Sequence, residues 1–374
     1  MTEVEITLLV SWVLTLLLTP AAIRLAPRLG WMDQPSERKQ HTAPVPLAGG
    51  LAVLAAAFLS IAGMAVWSPA VRASLWGLGS LSVLGVLMFG VVLLGFLDDL
   101  WDVRAAPRLA AQVLLAGLAW ALGFQVGAIE LPFGWELENI PLVSFCVTVA
   151  WIVLITNAFN FIDGVDGLTA GVGCIAALMI VWLPAIPGYQ APALGGAALA
   201  GALAGFLRFN LFPARIFLGD AGAMGIGFAI GVLSLASSQK GPTAVAAVVP
   251  LLGLGLPLLD AGLAILRRAR RHLRTHALSG LRPSQIGAAL MSADRGHIHH
   301  LLLRSGWSVR RVVFFLYAVS VALTLFALWS RGMSTTLRWG VWLLMLAAGL
   351  AMLWVLERRV ERREGSAPPS GGSA

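Results

Sequence analysis

Long apolar segments alternate with short polar breaks along almost the whole chain. The breaks carry charged residues or Pro and Gly, and each apolar segment approaches the ~20 residues that a helix needs to cross a bilayer. The pattern predicts about eleven membrane-spanning helices and a polar connection over 125–139 that can form a short hairpin. The predicted spans are residues 5–23, 47–67, 75–97, 107–124, 140–157, 168–186, 191–207, 221–238, 243–265, 311–330 and 337–356.

The composition limits the classes of protein to which the chain can belong. Of its 374 residues, 58% are hydrophobic and 12% are charged, and the mean hydropathy is +0.84. Soluble proteins average about 25% charged residues, so soluble multidomain enzymes, disordered chains and fibrous proteins are excluded. We predict an all-α polytopic integral membrane protein, with one transmembrane domain over residues 1–364 and a disordered Ser/Pro/Gly-rich tail over 365–374.

Basic residues orient the predicted spans. Most of the 26 Lys and Arg residues follow odd-numbered spans, and cytoplasmic connections retain Lys and Arg. The amino terminus is therefore predicted outside and the carboxy terminus in the cytoplasm. The net charge of +8 follows from this topology and from contact with anionic lipids, and it does not require nucleic acid.

The aspartates all lie in or beside the predicted cytoplasmic connections. Topology rules place little constraint on acidic residues, so their position on one side needs another cause. It indicates a cytoplasmic-face site, formed by connections between helices, for a cation or for an anionic, metal-bound substrate. The aspartates are Asp33, Asp98, Asp99, Asp102, Asp163, Asp166, Asp220, Asp260 and Asp294.

The first acidic cluster ends the third predicted span in the sequence LDDLWD. Asp98 and Asp99 are adjacent, and Asp102 follows Asp99 within one helical turn. Like charges this close repel each other, and they persist where a divalent metal or a cationic ligand offsets them. The alternative is a solvated helix end whose acids pair with Arg104 and Arg108.

A second cluster, NAFNFIDGVDGL, spans residues 157–168. Asn157 and Asn160 are three residues apart, and Asp163 and Asp166 repeat that spacing. Hard cations such as Mg²⁺ take oxygen ligands, and amide and carboxylate groups also suit the edge of a nucleobase. The alternative is a polar turn without a ligand.

A third motif, RFNLFPARIFLGDAGAMGIG, spans residues 208–227. Asp220 lies between Gly219 and Gly222 at the start of the next predicted span, and a helix start favours anions. Phe217 precedes Asp220 by three residues and can stack on a flat ring, although a core position is the commoner fate of such a residue.

The fourth motif, DRGHIHHLLL, lies in the longest predicted cytoplasmic connection. Histidine serves as a proton donor, a phosphate contact or a metal ligand, and three histidines beside an acid and an arginine indicate a functional loop. A zinc site is disfavoured because no Cys or HExxH pattern accompanies them. The residues are Asp294, Arg295, His297, His299 and His300.

A fifth motif, SERKQHTAPVPLAGG over residues 36–50, is by itself a topology signal with a stiff turn. Together, however, the five motifs resemble those of the polyprenyl-phosphate N-acetylhexosamine-1-phosphate transferases. More narrowly, they resemble the branch that starts O-antigen, enterobacterial common antigen and teichoic-acid linkage synthesis. The shared pattern is a basic-His-Pro-Gly loop, DDxxD, NxxNxxDGxDGL, NxxPAxxFxGDxG and HIHH. Ala223 departs from it, because many relatives have Ser there, and the stretch 267–292 is longer than usual.

The resemblance implies a reaction in which the phosphate of a polyprenyl carrier attacks the β-phosphorus of a UDP-N-acetylhexosamine and UMP leaves. The implied sugar is N-acetylglucosamine. UDP-GalNAc, a diamino-sugar or UDP-MurNAc-pentapeptide are alternatives. A cation-coupled transporter is a remote alternative, since its ionisable groups would lie near the bilayer midplane. A homodimer is left open.

The resemblance also implies roles for individual residues. Asp166 and Phe217 would hold the uracil, Arg108 a phosphate, and the Asp98–Asp99 pair would orient or deprotonate the attacking phosphate. Orientation ranks first, because a phosphate is already largely ionised near neutral pH. Mg²⁺, with Mn²⁺ as a substitute, would bind Asp220 and Asn160. The implied catalytic residues are Asp98, Asp99, Asp163, His299 and His300, and the implied substrate-binding residues are Lys39, His41, Arg108, Asn157, Asp166, Phe217, Asp294, Arg295 and His297.

Overall fold

The computed structural model describes residues 2–35, 43–126, 128–130, 136–138, 140–182, 190–236, 298–330 and 333–365. Within these ranges the chain is mainly helical, with two short antiparallel hairpins. The helices are α1 (Glu3–Leu29), α2 (Gly49–Trp67), α3 (Pro69–Ala73), α4 (Leu81–Trp101), α5 (Ala105–Ala121), α6 (Pro141–Ile162), α7 (Leu168–Trp182), α8 (Gln190–Asn210), α9 (Gly219–Ala236), α10 (Ile298–Arg304), α11 (Val309–Trp329) and α12 (Thr335–Gly365), and the strands are β1 (Met32–Asp33), β2 (Val45–Pro46), β3 (Ala128–Glu130) and β4 (Glu136–Glu138).

The helices confirm a polytopic membrane protein. Ten of the eleven predicted spans coincide with described helices, while the ninth, 243–265, lies outside the described residues. Seven helices in the described ranges are long and apolar enough to cross a membrane, and α5, α7 and the first part of α12 are shorter apolar helices. The count of eleven spans therefore stays a prediction. The seven are α1, α2, α4, α6, α8, α9 and α11.

Several predicted boundaries differ from the structure by a few residues, and the differences at α4 and α12 are among the larger ones. The third span was predicted to begin at residue 75, but α4 begins at Leu81, because α3 and a turn through Gly77 (φ 98°) occupy the preceding residues. The Ser80 side chain accepts a hydrogen bond from the backbone N–H of Val83 and caps α4. At the other end of the chain, α12 continues to Gly365, the first residue of the predicted disordered tail, and residues 366–374 lie outside the described residues.

The predicted hairpin in the polar connection is confirmed. Strands β3 and β4 pair antiparallel, with Ala128 opposite Glu138 and Glu130 opposite Glu136. The second hairpin was not predicted: Met32 of β1 lies opposite Pro46 of β2. This pairing joins the residues that follow α1 to the residues that precede α2.

Small residues mediate the contact between α1 and α8. A Cβ atom on Gly201 of α8 would lie 2.1 Å from the backbone oxygen of Leu8, and the Ser11 hydroxyl donates to the backbone oxygen of Ala198 at 2.6 Å. Small and hydroxyl side chains let membrane helices approach closely. The buried residues of α1 include a row at four-residue spacing: Thr7, Ser11, Thr15 and Thr19.

Helix α9 is buried along most of its length and packs closely against α2 and α4. A Cβ atom on Gly50 would lie 2.2 Å from the Cα of Gly222, and a Cβ atom on Gly95 would lie 2.5 Å from the Cα of Ala221. Only glycine permits these approaches. They bring the carboxyl end of α4 beside the amino end of α9, where the acidic residues gather.

Candidate active site

Asp99 of α4 caps the amino end of α9. Its Oδ1 accepts a hydrogen bond from the backbone N–H of Asp220 at 2.8 Å, and its Oδ2 accepts one from Ala221 at 3.1 Å. The first N–H groups of a helix lack partners within the helix, and a carboxylate there also interacts favourably with the helix dipole. Asp99 thus fixes the first turn of α9 from another helix.

Gly219 makes this cap possible. Its φ of +71° lies in the left-handed region that favours glycine. A Cβ atom at this position would also lie 2.7 Å from Asp99 Oδ2. The GD sequence of the third motif therefore combines a required glycine with the carboxylate that follows it.

Asp98 is buried and is held by α5 and the preceding turn. Its Oδ1 accepts a hydrogen bond from the backbone N–H of Val103 at 2.9 Å, and its Oδ2 forms an ion pair with the guanidinium of Arg108. Asp102 is exposed and ends α4 with a φ of +48°. The cluster predicted from the sequence is therefore divided, with two carboxylates inside and one outside.

Asn160 of α6 reaches Asp220 across the site. The Nδ2 of Asn160 donates to Asp220 Oδ1 at 2.6 Å, so Oδ1 of Asn160 and Oδ2 of Asp220 are the remaining side-chain oxygens of the pair. Asp98 and Arg108 lie within electrostatic range of Asp220. The pair therefore lies among charged groups at the start of a helix, where anions bind favourably.

Asp163 directly follows α6, and the fold raises the pKa of its carboxyl group. Burial, together with the nearby carboxylates of Asp220 and Asp99, raises the pKa of Asp163 from 3.8 to about 7. Like charges close together disfavour ionisation, and a bound divalent cation would reverse this effect.

The donor set fits Mg²⁺. In the described part of the chain, no three His, Cys, Asp or Glu side chains form a preassembled metal cage. Mg²⁺ does not need one, because it binds through one or two carboxylates together with substrate phosphates and water. Asp220 and Asn160 supply oxygen ligands of this kind, and Asp163 adds a nearby carboxylate.

The two loops predicted to hold the uracil are bonded to each other. Asp166 Oδ2 accepts a hydrogen bond from the backbone N–H of Ala214 at 2.8 Å. Asn210, which is buried at the end of α8, accepts from the N–H of Gly167 at 3.1 Å and donates to the backbone oxygen of Ile216 at 2.9 Å. The loop carrying Asp166 and the loop that leads to Phe217 therefore form one unit.

The loop with Phe217 is also tied to the start of α2. The backbone N–H of Phe217 donates to Pro46 at 2.8 Å, and its carbonyl accepts from Gly49 at 2.9 Å. The Phe217 side chain is half-buried. The described part of the fifth motif thus supports the site, whereas Lys39 and His41 lie outside the described residues.

The histidine motif approaches the loop that carries Gly164 and Asp166 from α10. The Nε2 of His299 lies 3.2 Å from the position that a Cβ on Gly164 would take, and the rings of His299 and His300 are 4.3 Å apart. From α11, the Tyr317 hydroxyl donates to the backbone oxygen of Gly167. Asp294, Arg295 and His297 lie outside the described residues.

The structure gathers the predicted site residues that it describes at one end of the helix bundle. Their chemical roles stay predictions. The gathered residues are Asp98, Asp99, Arg108, Asn157, Asn160, Asp163, Asp166, Phe217, Asp220, His299 and His300.

Among the described residues, some that support the site received no role from the sequence, including Gln112, Asn210 and Tyr317. Gln112 could have been found, because it is a polar side chain inside a predicted span, four residues after Arg108. Asn210 opens the NxxPAxxFxGDxG pattern. Tyr317 is one of 2 tyrosines in the chain, but nothing in its surroundings along the sequence indicates its partner.

Comparison with known proteins places these helices in a family. Residues 80–238, from the start of α4 to just past α9, match the model of glycosyl transferase family 4. The chain is 31% identical over 329 residues to the probable undecaprenyl-phosphate N-acetylglucosaminyl 1-phosphate transferase of Bacillus subtilis, covering 88% of this chain and 85% of that protein.

Two other relatives have similar names. The decaprenyl-phosphate N-acetylglucosaminephosphotransferase of Mycobacterium tuberculosis is 35% identical over 345 residues, which is 84% of this chain and 79% of that protein. The undecaprenyl-phosphate alpha-N-acetylglucosaminyl 1-phosphate transferase of Escherichia coli is 30% identical over 312 residues, which is 81% of this chain and 77% of that protein.

Proposed function

This chain belongs to the polyprenyl-phosphate N-acetylglucosaminyl-1-phosphate transferases of glycosyl transferase family 4, and on that premise we propose that it transfers N-acetylglucosamine-1-phosphate from UDP-N-acetylglucosamine to a polyprenyl phosphate. A phosphate oxygen of the lipid forms a bond to the β-phosphorus, the bond from that phosphorus to the bridging oxygen breaks, and UMP leaves. The observation that carries the proposal is the identity to relatives named for this transfer over most of the chain.

The metal is the first part of the proposed mechanism. Asp220 and Asn160 would hold Mg²⁺, which neutralises charge on the diphosphate when it is bound. Asp99 keeps the first turn of α9 in place and thereby sets the position of Asp220. Phosphoryl transfer depends chiefly on such positioning and on charge neutralisation.

The lipid phosphate is the second part. Asp98 is engaged by Arg108 and by the N–H of Val103, an arrangement that supports orientation over proton transfer. The attacking phosphate is already largely ionised near neutral pH, so it needs no strong base. Arg108 contributes a guanidinium, which suits phosphate recognition.

Recognition of the nucleotide is the third part. The carboxylate of Asp166 can accept from the N–H of uracil, and the ring of Phe217 can stack on the base. The hydrogen bond between Asp166 and Ala214 fixes the separation of the two loops. His299 and His300 extend the site on the side of Gly164, where a phosphate contact suits their chemistry.

The proposed location is the bacterial inner membrane, with the site facing the cytoplasm, the amino terminus outside and the carboxy terminus inside. The Arg-rich connections would then contact anionic lipids. Reporter tags at Gly241 and at the carboxy terminus should report opposite compartments, with the tail cytoplasmic. A periplasmic tail would contradict this orientation. Native mass spectrometry of the purified protein would decide between a monomer and a homodimer.

The activity is tested with purified protein, undecaprenyl phosphate and a panel of radiolabelled UDP-sugars. UDP-N-acetylglucosamine should give UMP and a lipid-linked product only when the lipid phosphate is present. Preference for UDP-GalNAc or UDP-MurNAc-pentapeptide would change the sugar but keep the reaction class. Absence of UMP with every UDP-sugar from folded protein would overturn the proposal.

A further inference from the structure

Gln112 is a buried polar residue that joins three helices beside the proposed site. It lies on α5 with 3% of its surface exposed. Its Oε1 accepts a hydrogen bond from Asn157 Nδ2 of α6 at 2.6 Å, and its Nε2 contacts Met224 Sδ of α9 at 3.3 Å. Arg108, four residues earlier and therefore on the same face of α5, binds Asp98.

The surroundings of Gln112 fix the direction of its amide. Burying an amide is costly unless its polar atoms have partners. A thioether sulfur can accept a hydrogen bond but cannot donate one. The Nε2 of Gln112 therefore faces Met224, and its Oε1 faces Asn157.

This direction in turn sets the chemistry of Asn157. The Nδ2 of Asn157 carries two protons: one is donated to Gln112 Oε1, and the other to the backbone oxygen of Val153 at 2.8 Å. With both protons engaged, the half-buried Asn157 can offer a ligand only its carbonyl oxygen.

On the basis of the proposed function, we infer that Gln112 is a positioning residue for the transfer. It holds the amide of Asn157 so that the Oδ1 atom of Asn157 faces the bound substrate. The group that Asn157 meets is then a hydrogen-bond donor or a cation. A phosphate oxygen or a uracil carbonyl does not fit, since each would meet another acceptor. A donor on the sugar and Mg²⁺ share the required chemistry.

A double-mutant cycle tests the inference. Gln112→Met keeps a side chain of similar length but removes the acceptor for Asn157. We expect kcat/KM to fall by about 10–100-fold, the usual range for a residue that orients a ligand-binding side chain. In the Asn157→Ala background, the same change should cost less than about twofold, because Gln112 then has nothing to position. Equal losses in both backgrounds would show a general packing role and overturn the inference.

The kinetic parameter that moves identifies the group that Asn157 meets. If Oδ1 meets a donor on the sugar, Gln112→Met raises KM for UDP-N-acetylglucosamine and leaves the affinity for UMP unchanged, because UMP lacks the sugar. If it meets the cation, the Mg²⁺ concentration for half-maximal rate rises instead. A weaker affinity for UMP with neither of these changes would contradict the inference.

The controls separate the inference from the proposed function. Gln125→Met replaces a glutamine that bonds to the backbone of Trp120, away from the acidic cluster, and should retain wild-type kinetics. Should Gln112→Met fail to fold in a detergent melt, Met224→Leu removes the sulfur at nearly constant volume and should give a loss of about two- to fivefold in the same parameter. Unchanged kinetics in the folded variant would overturn the inference alone, whereas an inactive wild type would overturn the proposed function.

Discussion

The carboxylate of Asp99 accepts a hydrogen bond from the backbone N–H of Asp220 at 2.8 Å, although the two residues lie 121 positions apart in the chain. The second oxygen of Asp99 accepts from the next N–H of α9. Adjacent carboxylates that look equivalent in the sequence therefore differ in the fold: Asp98 pairs with Arg108, and Asp99 holds a helix end that presents another carboxylate.

Replacement of Asp220 should abolish turnover. Because one carboxylate supplies a large share of the affinity for Mg²⁺, Asp220→Asn should lose nearly all activity, and the remainder should need more Mg²⁺. Initial rates against Mg²⁺ concentration, on variants checked by thermal melt in detergent, measure this. Wild-type Mg²⁺ dependence in folded Asp220→Asn would remove Asp220 from the metal site and transfer the role to Asp163 or Asp98.

Replacement of Asp99, which caps α9, should reduce stability and activity more than replacement of the exposed Asp102. Asp99→Asn weakens two hydrogen bonds to α9 and should cost about 1–2 kcal/mol of stability as well as activity. Asp102→Asn alters an exposed side chain and should cost less of both. Melting temperatures and rates measured side by side decide this, and an equal loss in the two variants would contradict the division of the cluster.

Gly219→Ala should also disturb the amino end of α9, in this case through the backbone of the helix itself. Alanine at this position would have to adopt a left-handed φ, which costs about 1–2 kcal/mol of stability. Its Cβ would also meet the carboxylate of Asp99. The variant should melt earlier and lose activity. Gly63→Ala is the matched control, because nothing apart from the adjacent backbone of α2 lies within 4 Å of its Cβ position; it should be neutral or stabilising by about 0.5–1 kcal/mol. Equal behaviour of the two variants would argue against the constraint at Gly219.

Phe217→Ala should weaken the binding of UMP and of the UDP-sugar alike. The expected cause is loss of the ring that stacks on uracil, while the backbone bonds of residue 217 to the start of α2 are kept. Calorimetry with UMP measures the affinity directly. Unchanged affinity in a folded variant would place the Phe217 ring outside the nucleotide site.

Asp163→Asn should change the pH dependence of stability in metal-free buffer. The pKa of Asp163 is raised from 3.8 to about 7 in the folded state, so the folded state retains a proton that the unfolded chain releases between these values. The contribution of Asp163 to stability therefore falls as pH rises from about 4 to 7. In thermal melts with EDTA, the stability of the variant relative to the wild type should increase as the pH rises across this interval. A stability difference that does not vary with pH would refute this prediction.

The helices were predictable because lipid leaves backbone groups no partner outside the chain, so long apolar segments must be helical. The start of α4 was not predictable, since the turn at Gly77 lies within an apolar segment. In the site, residue types indicated the chemistry, and the partners depended on tertiary contacts. No feature of the sequence near Asp99 indicates its contact with α9. The partners of Gln112, Asn157 of α6 and Met224 of α9, are likewise distant in the sequence.

The hydroxyl row on α1 has a consequence for the order of membrane assembly. The acceptor of Ser11 is Ala198, 187 residues later, so at about 5–20 residues per second the ribosome needs about 10–40 s to supply it. Meanwhile the hydroxyls of Thr7 and Thr15 bond to the carbonyls of Glu3 and Ser11 one turn earlier, which satisfies them without a second helix. These two hydroxyls therefore need no partner from α8 while α1 enters the bilayer, and the contact of Ser11 with α8 forms only after more than half of the polypeptide has been synthesised.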